Sequence, residues 1–135
     1  MFAWVLILFS IFPLQKTATV TVEIKGFPND KGEVFIAVYD ENDEFPVFGK
    51  QSKGVKLKIE KGKATTQFSL HAEKKYAIAV FHDQNKNGLL DKNIFGAPTE
   101  AYGFSNNVRN LFSAPSFDQA KFTPSKEKSI QIVVQ

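Results

Sequence analysis

The chain has 135 residues, of which 43% are hydrophobic and none is cysteine. It can therefore bury the core of one domain, and disulfides and thiolate metal sites are excluded. Its 17 basic and 14 acidic residues give a net charge of +3, with Arg109 as the one arginine. Because bidentate recognition of phosphates and bases favours arginine, we expect no nucleic-acid partner.

The N-terminal segment, Met1 to Leu14, carries no charge. Its length is typical of the apolar region of a signal peptide and is shorter than the roughly 20 residues that span a bilayer. The sequence predicts a signal peptide or uncleaved anchor over residues 1–18, then a single β-sandwich domain over residues 19–135. We expect a secreted or periplasmic bacterial protein that is a monomer and meets a membrane only if the segment stays attached.

Short segments with a two-residue period follow, separated by turn residues, and they predict β-strands. The predicted strands cover residues 19–25, 33–39, 55–60, 64–70, 76–81 and 129–134. The second and fifth are apolar at nearly every position, which predicts central strands covered on both faces. Lys61-Gly62-Lys63 predicts a hairpin between 55–60 and 64–70. About seven short strands predict an all-β fold, a two-sheet antiparallel sandwich of the Ig-like kind.

Residues 83–91 place oxygen-bearing side chains at alternate positions and a glycine at the sixth position. Calcium loops take side-chain oxygens from positions 1, 3, 5 and 9 and a backbone carbonyl from position 7. The corresponding residues are Asp83, Asn85, Asn87, Asp91 and Leu89. They predict a structural Ca²⁺ site with a dissociation constant of roughly 10⁻⁴ to 10⁻³ M. The alternative is a turn rich in Asp and Asn that binds no metal.

The twelfth position of this loop is Ile94, where an EF-hand has a bidentate glutamate. A predicted strand enters the loop in place of a helix, so a helix-loop-helix calcium sensor is not expected. A carboxylate from elsewhere must complete the site. Glu100 is the first candidate because it lies in the same long loop, and Asp118 is the second.

The run His82–Asp91 is followed by Phe95–Asn107 and then by Ala114–Phe122. In this order the three motifs resemble the bacterial domain-of-unknown-function family 2141. The similarity extends from about Thr19 to Gln135. It implies a secreted or periplasmic, prealbumin-like β-sandwich with no established activity, and it assigns no catalytic residue.

The segment Phe104-Ser105-Asn106-Asn107 has two interpretations. Its amides suit the hydroxyl groups of a sugar, which predicts a ligand-contacting loop. Alternatively, the asparagines pair with the backbone of the long loop, which must satisfy its own N–H and C=O groups. Eight aromatic residues in the irregular segments predict a satellite core under the loops: Phe45, Phe48, Phe95, Tyr102, Phe104, Phe112, Phe117 and Phe122.

The first functional hypothesis is an exported, Ca²⁺-stabilised, non-catalytic module of the bacterial envelope, with a structural role or a protein, peptide or glycan partner. The alternative is a secreted glycoside or ester hydrolase that uses carboxylates near the same loop. Ser105, His82 and either Asp118 or Glu100 are nominally available for nucleophilic catalysis, but no nucleophile elbow surrounds Ser105.

Overall fold

The computed structural model describes residues 5, 7–11, 15–92 and 98–135. The strands in these ranges are β1 (Thr17–Lys25), β2 (Glu33–Asp40), β3 (Lys53–Lys58), β4 (Lys63–His71), β5 (Tyr76–Asp83), β6 (Tyr102–Phe104) and β7 (Ser129–Val133). A 3₁₀ turn (Ser105–Asn107) and a short helix, α1 (Phe117–Ala120), lie between β6 and β7. Each of the six predicted strands is therefore present within two residues, whereas β6 and α1 fall where the sequence predicts only a loop.

The strands form two sheets, in the orders β4-β1-β7 and β3-β2-β5-β6. Alternate side chains from both sheets meet in one apolar core, an arrangement consistent with a β-sandwich. Fully buried examples are Val20, Val22 and Ile24 from β1, Ile36 and Val38 from β2, Ile78 and Val80 from β5, and Ile132 from β7. The two-residue period thus selects the residues that enter the core.

One pair, β1 with β7, is parallel, with Thr21 beside Ser129. All other strand pairs among the described residues are antiparallel. The predicted two-sheet antiparallel sandwich is therefore correct for the other described strand pairs and wrong at this one. A parallel pair needs a long crossover, and the whole domain separates β1 from β7 along the chain.

The predicted hairpin between β3 and β4 is also wrong. Lys61 (φ 51°) and Gly62 (φ 77°) do form a two-residue turn, across which Glu60 and Lys63 exchange backbone hydrogen bonds of 2.9 and 3.1 Å. Beyond that pair the strands separate, since β3 pairs with β2 and β4 pairs with β1. Ile59 and Ala64, on either side of the turn, are both buried in the core between the sheets. The chain therefore crosses from one sheet to the other at this turn.

The outer face of the four-stranded sheet is covered by a second apolar layer. Its buried members are Ala37, Tyr39, Ala79 and Phe104, and half-buried aromatic residues from the loops pack on them. All eight residues of β5 are buried as a result. The prediction that β2 and β5 are central strands covered on both faces is confirmed. Burial, and secondly the charge of Asp43, raises the pKa of the Tyr39 phenol.

The predicted satellite core is confirmed for four aromatic residues, Phe45, Phe48, Tyr102 and Phe104. The Phe117 ring lies 6.2 Å from the Phe45 ring, at the rim of this layer. Two residues differ: Phe122 belongs to the main core, and Phe112 is 99% exposed. Phe95 lies outside the described residues. An irregular segment has no period that says which aromatic side chain points inward.

The apolar N-terminal residues that the structure describes are largely exposed. Val5, Ile7, Leu8, Phe9 and Ile11 are between 71 and 89% exposed. Strand β1 begins at Thr17, inside the segment predicted to be a signal peptide or anchor. Within the described part of the chain, no helix has the length and apolar character that crossing a membrane requires.

Candidate metal centre

The predicted calcium loop begins where β5 ends. Asp83 is the last residue of β5 and is only 3% exposed. Its Oδ1 accepts a hydrogen bond from the Asn87 N–H (3.2 Å), and its Oδ2 accepts one from the Gly88 N–H (2.8 Å). The chain therefore folds back on the first residue of the loop.

The turn is held tight by the side chains at alternate positions. Asn85 Oδ1 accepts from the Asn87 N–H (3.2 Å), and Asn87 Oδ1 accepts from the Leu89 N–H (2.9 Å). Gly88 has φ +77°, a backbone conformation that residues with a side chain rarely adopt. Asp and Asn favour such turns because their side chains bond the backbone two residues further on.

Asp91 accepts hydrogen bonds from both asparagine side chains. Asn87 Nδ2 lies 2.7 Å from Asp91 Oδ1, and Asn85 Nδ2 lies 2.7 Å from Asp91 Oδ2. The amide of Asn87, and then that of Asn85, holds the pKa of Asp91 below its ordinary value. These hydrogen bonds favour the ionised form of Asp91, the form that a metal ligand requires.

Glu100 joins the two ends of the loop. It is only 8% exposed. Its Oε2 accepts from the Gln84 N–H (2.7 Å), and its Oε1 accepts from the Asp91 N–H (3.0 Å). The Thr99 N–H also donates to the Asp91 carbonyl (2.8 Å). A residue that follows the loop by nine positions therefore closes it.

Of the remaining predicted ligands, Leu89 lies in the loop and Asp118 does not. Leu89 follows Asn87 by two positions in the loop, and its side chain is 66% exposed. Asp118 is not brought to the loop, since it lies in α1, pairs with Lys121 at 3.2 Å and is exposed. Ile94 lies outside the described residues. Over the described ranges, no three His, Cys, Asp or Glu side chains converge closely enough to hold a metal between them.

The connection between β1 and β2 forms a platform under the loop. A Cβ added to Gly32 (φ +69°) would lie 2.1 Å from the Asp83 carbonyl oxygen and 2.7 Å from Gln84 Cα. His82, which is fully buried, places Nε2 2.5 Å from the Lys31 carbonyl and donates to it. Asn29 donates to Gln84 Oε1 at 3.2 Å. The sequence places turn residues between the predicted strands 19–25 and 33–39 and gives no signal that this connection supports the loop.

In the second predicted site, Phe104 to Asn107, the polar side chains mainly form hydrogen bonds with backbone groups. Ser105 is fully buried; its Oγ accepts from the Ile78 N–H (2.9 Å) and donates to the Ala120 carbonyl (2.5 Å). Asn106 Nδ2 donates to the carbonyls of Gln119 and Lys121 at 3.1 and 3.0 Å. These bonds tie α1 to the start of β5.

Asn107 closes the outer edge of β7. Its Oδ1 accepts from the Val133 N–H (2.9 Å), and its Nδ2 donates to the Gln131 carbonyl (3.3 Å). Phe104 and Asn107 also line an open cleft of about 340 Å³ beside Arg109. Ligand binding by this segment stays a prediction, whereas its backbone bonds are present.

Replacing Ser105 with alanine is expected to cost about 2 kcal/mol of unfolding free energy, because one buried N–H and one buried carbonyl lose their partner. Ser129→Ala is the matched control: Ser129 is an exposed strand residue, and its loss is expected to change stability by less than about 0.5 kcal/mol. Urea unfolding of both variants measures the difference. Equal midpoints would mean that the Ser105 hydroxyl has no structural role.

Comparison with known proteins gives one match. The model of a protein family described as an uncharacterized protein conserved in bacteria, DUF2141, matches residues 22–132. No curated protein and no solved structure matches the chain. The prealbumin-like outline that the resemblance implies therefore stays a prediction.

Proposed function

The chain belongs to the DUF2141 family of uncharacterized bacterial proteins, and from this premise we propose that it is an exported, non-catalytic module of the bacterial envelope that a structural Ca²⁺ ion stabilises. Its role is structural or that of a binding module for a protein, peptide or glycan. The calcium part rests on one observation: Glu100 bonds the backbone of both Gln84 and Asp91 and so closes the loop.

The donor set suits a hard cation. Ca²⁺ takes six to eight oxygen ligands, and the loop offers the carboxylates of Asp83, Asp91 and Glu100, the amide oxygens of Asn85 and Asn87, and the Leu89 carbonyl. An ionised carboxylate has about four acceptor sites. Among the described residues, each of the three accepts two hydrogen bonds within the loop. Those bonds alone take up about half of the acceptor sites of the three carboxylates.

A cation here would stabilise the domain through the loop charges. The loop carries three carboxylates, Asp83, Asp91 and Glu100, which do not converge closely enough in the structure to hold an ion between them, so an ion must draw them together. Repulsion between like charges opposes closure of the loop, and a divalent cation relieves it. The loop connects β5 to β6, so its closure also fixes the short edge strand. To ligate the ion, Asn85 and Asn87 must turn Oδ1 toward it, in place of the Nδ2 groups that now face Asp91.

The absence of catalysis is proposed because the residues nominated for a nucleophilic mechanism have other roles. The Ser105 hydroxyl bonds two backbone groups, and His82 is fully buried under the β1–β2 connection. The hydrolase alternative retains only the loop carboxylates. It would be favoured by activity on a glycoside or ester panel that Asp83→Asn removes while the fold stays intact.

Export is proposed from the uncharged apolar N-terminal segment. N-terminal sequencing of the protein recovered from the cell envelope and the medium tests it. A start near residue 19 supports cleavage, and a start at Met1 in a membrane fraction supports an anchor. Full-length protein in the cytoplasm alone would overturn the export part of the proposal.

Calcium binding is tested by calorimetric titration of metal-free protein. We expect one site with a dissociation constant of roughly 10⁻⁴ to 10⁻³ M. Glu100→Gln is expected to weaken it at least about tenfold, because a ligand charge is lost. Glu127→Gln is the matched control, since Glu127 is exposed and lies outside the loop. Absence of heat at millimolar Ca²⁺, or equal weakening in both variants, would contradict a site at this loop.

A further inference from the structure

Asn87 and Gly88 form the one Asn–Gly pair in the sequence. Both residues are exposed. Among the described residues, the one atom within 4 Å of a Cβ added to Gly88 is Lys56 Nζ, at 3.9 Å. Glycine has no side chain that would hinder its backbone nitrogen from approaching the preceding side chain. The pair is therefore open to an intramolecular reaction that the other asparagines, which precede residues with side chains, resist.

The reaction is deamidation through a succinimide. The Gly88 backbone nitrogen attacks Asn87 Cγ and forms a new N–C bond, while the Cγ–Nδ2 bond breaks. Nδ2 leaves as ammonia and takes up the proton of the Gly88 N–H. Water then opens the ring at one of its two carbonyls, leaving aspartate or isoaspartate at position 87. In sum, asparagine and water give an acid and ammonia.

The folded loop restrains each group that takes part. The Gly88 N–H donates to Asp83 Oδ2 at 2.8 Å. Asn87 Nδ2 donates to Asp91 Oδ1 at 2.7 Å, and Asn87 Oδ1 accepts from the Leu89 N–H at 2.9 Å. Attack therefore requires that the Gly88 nitrogen leave Asp83 and that the Asn87 side chain rotate away from two partners.

We propose that Asn87 is a site of spontaneous deamidation and that the hydrogen bond between Gly88 and Asp83 controls its rate. The product changes the charge of the loop. The Asn87 amide now donates to Asp91. After deamidation a carboxylate at position 87 would face the Asp91 carboxylate, and these like charges repel. Isoaspartate would also add one carbon to the backbone of the turn. The modification thus converts the closed loop irreversibly into a more open one that carries an additional negative charge.

The test follows loss of the amide by intact mass and peptide mapping, in EGTA at mildly alkaline pH. Four samples are compared: folded wild type, wild type in urea, Asp83→Ala and Asn87→Gln. Conversion at Asn87 is expected to be at least about tenfold faster in urea and in Asp83→Ala than in folded wild type, as expected from the loss of a charge-assisted hydrogen bond. Asn87→Gln is expected to keep its mass.

Asp40→Ala is the matched control, because Asp40 Oδ1 accepts from the Asn42 N–H at 2.8 Å in a turn that does not contact the calcium loop. This variant should leave the rate at Asn87 unchanged. If Asp83→Ala does not fold, Asp83→Asn keeps the side-chain volume and weakens the acceptor. Equal rates in folded and urea-unfolded wild type, or faster reaction at another asparagine, would overturn the proposal. The EGTA comparison involves no calcium, so failure of calcium binding would leave this result unaffected.

Discussion

Replacement of Gly32 by alanine is expected to lower the free energy of unfolding by roughly 3 kcal/mol or more, from a strained positive φ and a forced backbone displacement. The new Cβ would lie 2.1 Å from the Asp83 carbonyl oxygen and 2.7 Å from both Cα and the carbonyl oxygen of Gln84. These contacts are with backbone atoms, which have no rotamer by which to move away. Either the β1–β2 connection or the start of the calcium loop must shift.

Gly62→Ala is the matched control for this prediction. Gly62 has φ +77°, close to the +69° of Gly32, but an added Cβ there meets nothing within 4 Å. Only the cost of the left-handed conformation is expected, about 1 kcal/mol. Urea unfolding of the two variants distinguishes the cost of the positive φ, which both share, from the cost of the steric clash, which only Gly32→Ala has. Similar losses in both would mean that the platform does not constrain the loop.

The second large effect is expected from calcium itself. With a dissociation constant of 10⁻⁴ to 10⁻³ M, roughly 10 mM Ca²⁺ stabilises the folded state by about 1.4 to 2.7 kcal/mol. For a domain of this size the melting temperature should rise by roughly 5 to 10 °C. EGTA should reverse the rise, and Mg²⁺ should give a smaller one because it requires a stricter octahedral geometry.

The variant Glu100→Gln should lose most of this calcium-dependent rise. Its metal-free melting point should also fall. The two carboxylate oxygens of Glu100 each accept one backbone N–H, whereas a glutamine side chain has only one acceptor oxygen. Each variant is therefore compared with its own EGTA sample, and Glu127→Gln should behave as wild type. If Ca²⁺ leaves the melting temperature of the wild type unchanged, the proposal of a structural Ca²⁺ ion is wrong. If the melting temperature of Glu100→Gln rises as much as that of the wild type, the ion binds elsewhere.

Sequence reasoning was most successful where a local pattern has one structural meaning. The alternation of Val20, Val22 and Ile24 fixes which face of β1 is buried, and the continuous apolar runs of β2 and β5 identify strands covered twice. The spacing of Asp83, Asn85 and Asn87 predicts a turn that returns to its first residue, and the backbone bonds of that turn are present. The sequence also predicts Glu100, in the same long loop, as the carboxylate that completes the metal site. The structure brings Glu100 to both ends of the loop, and its role as a ligand stays a prediction.

The sequence by itself determined the faces of the strands and the composition of the loop, because side-chain period and turn chemistry act over a few residues. Only the tertiary structure decided which strands pair. A two-residue turn at Lys61-Gly62 fits a hairpin equally well, but burial of Ile59 and Ala64 sends β3 and β4 into different sheets. The support that Gly32 gives to Asp83 likewise joins residues far apart in sequence. Such contacts depend on how the whole chain packs, and no local pattern encodes them.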